Sequence, residues 1–392
     1  MAVGWLLLAS MFALWWIEAG GLWHASHWDQ YVYLADAFNH GQLYLFHHPA
    51  DAGDMAIVGG RAYVVFGPLP ALPLMPLVAF LGPATPDVLV LALTALLGTW
   101  AFYRLLRELH PDDRLVPLLG AASLALGSPM HYGSALGNVW LHAQISALTV
   151  QCLALWMAAR GRAWWSGGFL AAGVLCRPTV TLAAPVAAWL LARGPRPGTR
   201  PDAVRAHSPW RIAVALGVPI AAAAAIHGAY NLMRFHHLAD AGYHYILMGG
   251  EFAARVATWG RFSLHFLGHN LRGWMIGGFV RQDGALMPDP HGTSIWLTIP
   301  FLWLVFVPRR WTRLEWLAAA NAVVIAIPAL LYYNDGWVQF GQRFALDWLA
   351  LGLLIASFGA RRLPHSASIA IAAAGVAMNM WGTTWFAGHF LH

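Results

Sequence analysis

The chain has 392 residues, 59% hydrophobic and only 10% charged, with a formal net charge of +6 in which every basic residue is an arginine. Soluble domains carry roughly a quarter charged residues, so a water-soluble globule is excluded; a membrane β-barrel, with alternating segments of about ten residues, is excluded too. Apolar segments recur along the whole length and predict an all-α polytopic membrane protein, whose helices satisfy their own backbone polar groups. The basic excess then reports orientation rather than nucleic-acid binding.

Residues 3–18 form a first apolar segment, read as an uncleaved helix because Glu18 and Gly20-Gly21 make a poor small-residue cleavage site. Basic clusters follow at Arg104/Arg107/Arg114, Arg160/Arg162, 193–211, Arg309/Arg310/Arg313 and Arg361/Arg362. If each marks a cytoplasmic loop, every gap between clusters holds two apolar segments, as alternation requires. Crossings are predicted at 3–18, 87–106, 116–128, 140–159, 165–176, 179–192, 212–229, 294–307, 314–331, 344–358 and 369–381, about eleven in all. An N-terminal transmembrane module, 1–229, then carries the first outer loop, 20–86. A C-terminal module, 230–392, carries a second long outer segment, 230–293. Residues 67–82 are apolar but hold four prolines, which break helices, and read as an amphipathic or half-inserted helix on the outer leaflet. The Pro/Arg-rich stretch 194–209 reads as a cytoplasmic connection. Cys152 and Cys176 fall in apolar segments and suggest no disulfide framework.

Under this topology only His110, His207 and His365 of the 19 histidines fall inside. The rest are explained either by the interfacial preference of such side chains or by an outer site that handles phosphate or protons. Four outer stretches carry candidate chemistry. In the first loop, Asp29, Tyr33 and Asp36 share one face of a short interfacial helix, with Trp28, Val32 and Ala35 opposite. Partial burial there raises a carboxyl pKa towards neutrality, which suits Asp29 as a general base; the alternative is a solvated acidic face. Asp51 and Asp54 look like turn residues, with Asp54 a candidate for acid or acceptor contact. In the second stretch, Asn138, His142 and Gln144 sit at a helix entrance, where they either line a cavity or cap the helix.

The third, residues 230–245, combines Arg234, His236, His237 and Tyr243 with further aromatics. Arg255, Arg261, Arg272 and Arg281 follow, all against the positive-inside bias. Arginine's planar fork matches phosphate oxygens; a merely solvated charged loop is the alternative. The fourth, residues 332–347, holds Gln339, Gln342, Arg343 and Asp347. Arg343 and Asp347, four residues apart, can pair on one helix face. That pair either aims a guanidinium at a phosphate headgroup or closes the bundle as a structural ion pair. No Walker loop, GxGxxG, HExxH or GxSxG occurs, and the adjacent pairs His47-His48 and His236-His237 are not spaced as metal ligands.

With HWDQYVYLADAF, GQLYL, GRAYVVFGPLPALPLMP, VWLHAQ, RPT at 177–179, YNLMRF, AGY, GTSIWLTIP and GWVQFGQRFALDW in this order, the chain resembles the GT-C superfamily of membrane glycosyltransferases. More narrowly it is similar to actinobacterial-type members related to mannosyl- and arabinosyltransferases. The resemblance covers most of the chain. It implies a fold with interfacial helices in the first outer loop and an active site on the extracytoplasmic side of a bacterial plasma membrane. Its expected partners are a polyprenyl-phosphate-linked sugar donor, a glycan, lipid or protein acceptor and membrane lipids. It implies Asp29 as the base; Arg234, His236, His237, Arg272, Gln342 and Arg343 near the donor phosphate; and Tyr33, Asp36, Asp54, His142 and Tyr243 around the acceptor or cavity. Some members use a second outer carboxylate after the third span to bind a metal; here SPMHYGSALGNVW has none, which argues against a divalent cofactor. A polyprenyl-lipid flippase and a carboxylate-independent envelope glycan ligase or polymerase are the alternatives. The flippase would need polar residues through mid-membrane, and the spans are nearly free of charge.

Overall fold

The computed structural model describes residues 2–47, 53–194, 207–282, 284–336 and 339–390. Helix α1 (Ala2–Glu18) leads into α2 (Gln30–Asn39), a hairpin of β1 (Met55–Val58) and β2 (Arg61–Val64), and α3 (Met75–Leu81). Then come α4 (Asp87–Leu109), α5 (Leu115–Ala125), α6 (Met130–Leu136), α7 (Val139–Ala159), α8 (Ala163–Val174), α9 (Ala184–Arg193) and α10 (Pro209–Phe235). The remainder runs α11 (Gly250–Trp259), α12 (Leu267–Ile276), a second antiparallel hairpin of β3 (Phe279–Gln282) and β4 (Ala285–Pro288), α13 (Ile295–Thr298), α14 (Arg313–Leu330), α15 (Leu346–Ala360) and α16 (His365–Phe390).

Among the described residues, five helical segments are individually long and apolar enough to cross a bilayer: α4, α7, α10, α14 and Arg343–Ala360, which contains α15. Their burial sorts them. The apolar window of α7 is 94% buried and that of Arg343–Ala360 is 89% buried, so these form the centre; the α10 window is 22% buried and faces outward. Between helices, close packing replaces the hydrophobic drive that lipid abolishes, so small residues sit at the contacts. Gly167 of α8 shows this: a β-carbon there would run into the Ala215 carbonyl of α10. Helix α14 opens with a capping box in which Thr312 and Glu315 satisfy each other's backbone donors, and Glu315 also takes Arg309 Nε at 2.8 Å.

Several expected crossings are not single regular helices, and proline is the reason. At 294–307, α13 stops at Ile299 (φ −132°, ψ 65°), which lies outside the α region that a following proline disfavours, and the chain continues as a 3₁₀ helix, Pro300–Phe306. At 179–192 a 3₁₀ stretch, Pro178–Ala183, precedes α9. Residues 67–82 divide in the same way into a 3₁₀ turn, Leu69–Leu74, and α3.

The loop between α1 and α4 folds as a small layer on α7. Tyr31, Val32, Leu34, Ala35 and Ala37 of α2 pack with Leu74 and Val78 and with Val139 and Ala143 at the start of α7. Each large apolar side chain so covered contributes about 2 kcal/mol. Tyr33 and Asp36 lie on the opposite, half-buried face. A bridge between Ala56 of β1 and Ile246 ties this layer to the segment after α10.

Candidate active-site cavity

Where the 20–86 and 230–293 segments meet the helices, there is a partly open cavity of about 680 Å³. Its walls come from the first loop (Asp54, Phe66, Gly67), the entrance of α7 (Trp140, Gln144), the α8–α9 connection (Arg177, Thr179), residues 239–246, the 261–262 stretch, and the chain on either side of Asn334 up to Asp347. Three guanidinium groups, of Arg177, Arg261 and Arg343, and three carboxylates, of Asp54, Asp240 and Asp347, share this lining.

The pairing is uneven. Asp347 is buried and takes Arg177 Nη2 at 2.7 Å rather than Arg343. The expected partnership four residues along one helix fails because Arg343 belongs to a 3₁₀ turn, Arg343–Ala345, ahead of α15. Burial works against the charge on Arg177, but the adjacent Asp347 carboxylate outweighs it and raises the pKa. Asp240 accepts from the Gly242 amide at 2.8 Å, and Asp54 accepts from Trp140 Nε1 at 2.6 Å. Asp54 is one of only two non-glycine residues with positive φ among those described (φ 58°), and it holds its side chain against the wall in that conformation.

Arg343 is left over. It is only 7% exposed, yet among the described residues its side chain makes no hydrogen bond and no ion pair, and Nε is fully buried without a partner. Its guanidinium lies 5.3 Å over the Trp140 ring and 5.1 Å over Phe344. Arg261 likewise has no ion pair among the described residues; its contacts are to Tyr333 and the Met248 sulfur. A buried cation without a counter-ion costs several kcal/mol, and an anion in the cavity removes that cost. Tyr243, Tyr332 and Tyr333 add hydroxyl groups, and burial raises the pKa of each, so they remain protonated.

Asp29 is not among the residues that line the cavity. It occupies the N-cap position of α2, but its side chain makes no capping bond. Its neighbour Trp28 packs on Trp140 with ring centroids 5.1 Å apart. Burial, and then the charge of Asp87, push the Asp29 carboxyl up to about 6. Asp87 itself is fully buried at the head of α4, bonded by the Ser26 amide and hydroxyl at 2.6 Å each, with His142 Nε2 at 3.3 Å. No sequence spacing reveals this Ser26–Asp87–His142 group, because its members are brought together only by tertiary folding.

The other expected site residues are distributed as follows. Asp54, Tyr243 and Arg343 line the cavity. His142 lies behind it on Asp87, and Gln144 lines the wall in its place. Arg234 is buried elsewhere, donating to Val64 O at 2.6 Å and Asn231 Oδ1 at 2.9 Å, with its flat face 3.7 Å from the Tyr230 ring centroid. Gln342 holds the His291 and Gly292 carbonyls at 3.2 and 3.0 Å. His236 ends α10 in a left-handed conformation, His237 accepts from the Ala239 amide, and both are exposed, as is Arg272. Asp36 sits 3.5 Å from His40, and Asp51 and His48 lie outside the described residues. Arg177 was visible in the sequence only within the RPT triplet, with no charge argument attached.

No protein-family model and no curated protein matches the chain. Two solved structures of the oligosaccharyltransferase of Archaeoglobus fulgidus are similar to it. One, AglB in complex with an inhibitory peptide and a dolichol-phosphate, has a TM-score of 0.42 and 13% identity, covering 96% of this chain and 55% of that chain. The other, the apo form, has a TM-score of 0.42 and 14% identity over 96% and 56%. The chain spans about half the length of these two structures.

Proposed function

We propose that the chain is an integral-membrane glycosyltransferase of GT-C type that moves a sugar from a polyprenyl-phosphate donor to a hydroxyl acceptor on the extracytoplasmic face. The observation that carries this reading is the buried Arg343 guanidinium, without a counter-ion among the described residues, in a cavity wall that also presents Arg261, Arg177 and tyrosine hydroxyls. Such a set suits a phosphate whose charge grows as the sugar leaves, and donors fixed in advance stabilise that charge without reorganising. In the reaction, the acceptor oxygen forms a bond to the anomeric carbon and the bond from that carbon to the phosphate oxygen breaks. The polyprenyl phosphate departs with the electron pair, and the acceptor's proton passes to a carboxylate.

Asp29 is the base in this scheme, because a carboxyl near pKa 6 is ionised at neutral pH and still basic enough to take a proton. Asp54 is the second reading for that role, favoured by its place on the wall. Transfer assays on purified protein separate the two. Asp29→Asn is expected to abolish turnover with expression unchanged, whereas loss in Asp54→Asn with turnover kept in Asp29→Asn assigns the base to Asp54. Arg343→Ala is expected to raise the donor KM about 10- to 100-fold, the loss of one or two charge-assisted hydrogen bonds, and to leave the acceptor KM alone. Equal loss for donor and acceptor would remove the phosphate role.

A further inference from the structure

Beside the cavity, three segments distant in sequence deliver metal-type ligands to one point. His269 comes from α12, His291 from the loop after β4, and Asp335 from the loop after α14. Asp335 Oδ2 lies 3.0 Å from His269 Nε2 and 2.6 Å from His291 Nδ1, and the three ligand atoms all fall within 4.8 Å of one another. We propose that His269, His291 and Asp335 form a divalent-cation site of the zinc class at the edge of the cavity, where Asn334, the residue before Asp335, lines the wall.

The donor chemistry selects the ion. Two imidazoles and one carboxylate suit a borderline cation such as Zn²⁺, while Mg²⁺ and Ca²⁺ prefer oxygen sets. Exposure is graded in the way an accessible site needs: the carboxylate side chain is 8% exposed, and the imidazoles are 57% and 39% exposed, so an ion has a path in and coordination positions remain open to solvent or substrate. Three protein ligands with an open position is the arrangement of zinc centres that engage a ligand rather than merely brace a fold.

The backbone behind the ligands is held independently of any ion. The Gln339 amide donates to the carbonyls of Asp335 and His291, at 2.8 and 3.0 Å, and thereby locks two ligand-bearing residues to each other. Asn270, next to His269, donates to the carbonyls of Ala329, Leu330 and Tyr332, which fixes α12 to the chain leading into Asp335. Gly292 follows His291 at φ +103°, and a β-carbon there would sit 2.6 Å from Gln342 Nε2. Such outer supports orient the ligands and hold the geometry that a metal requires.

The test uses the full chain in detergent, stripped with chelator and titrated with ZnCl₂ alone, followed by calorimetry and by metal content after gel filtration. About one equivalent of zinc is expected, with a zinc-dependent rise in melting temperature. His269→Ala and His291→Gln are each expected to weaken binding at least about tenfold and to abolish that rise. His24→Gln, an exposed histidine of the first loop, should bind like the wild type. His269 is mostly exposed, so its variant keeps the fold, and the melting temperature without zinc verifies this. Sub-stoichiometric zinc, or binding unchanged in both His269→Ala and His291→Gln, overturns the proposal. Neither outcome depends on glycosyl transfer.

Discussion

The Asp29 carboxyl, held at about 6 against an ordinary 3.8, ties one residue to two measurable pH effects. Below pH 6 it is protonated and cannot accept a proton, so with Asp29 as the proposed base kcat/KM is expected to fall about tenfold per pH unit on the acid side. Its stability effect has the opposite sign. A carboxyl whose folded pKa is raised destabilises the fold once ionised, an effect fully present above 6 and absent below 3.8. Asn at this position is therefore expected to raise the melting temperature at neutral pH, with the gain shrinking as pH falls through 6. A flat melting difference across that range would mean Asp29 titrates as a solvated group. At this scale the sequence singled out polar residues that cluster within an otherwise apolar chain, among them Asp29, Asp54 and Arg343. It was silent on partners: Asp347 pairs with Arg177 across 170 residues, and Asp335 meets two histidines from other segments, because such contacts arise only once helices pack.

Elements explain why Arg234 sits where it does. Its guanidinium joins the end of α10 to the Val64 carbonyl at the end of β2, so it secures the first-loop layer to the bundle. Arg234→Ala is expected to cost about 2–4 kcal/mol of stability, since the buried acceptors lose charge-assisted bonds, and thermal melts read this directly. A normal melt combined with a donor-selective rise in KM would instead return Arg234 to phosphate binding. Helix packing offers a paired check at adjacent glycines. Gly167→Leu places a side chain against α10 and is expected to destabilise by about 1–3 kcal/mol or more, whereas Gly168, where an added β-carbon would meet nothing within 4 Å, should accept Leu without loss. Hydropathy and arginine spacing exposed the long helices such as α4, α7 and α10, because length and apolarity are local properties. They missed the broken segments at 178–193 and 295–306, where proline dictates the backbone while the composition stays apolar.

For the whole molecule, the cavity exists because α7 and α15 form a buried centre on which the 20–86 and 230–293 segments converge. No single stretch defines it: Asp54, Trp140, Arg177, Tyr243, Arg261 and Arg343 come from separate parts of the chain. The ordered motifs of the sequence pointed to an outer site, but not to which arginines would face it, since Arg234 and Arg343 look alike until their neighbours are known. One is saturated by carbonyl oxygens and aromatic rings; the other is buried beside open volume, and among the described residues its side chain makes no hydrogen bond. The most direct measurement is a structure of the purified protein with a polyprenyl phosphate bound. The phosphate is expected within hydrogen-bonding distance of the Arg343 guanidinium, with Arg261 or a tyrosine hydroxyl as a second contact. A phosphate bound away from Arg343, or equal affinity in Arg343→Ala, would contradict the account.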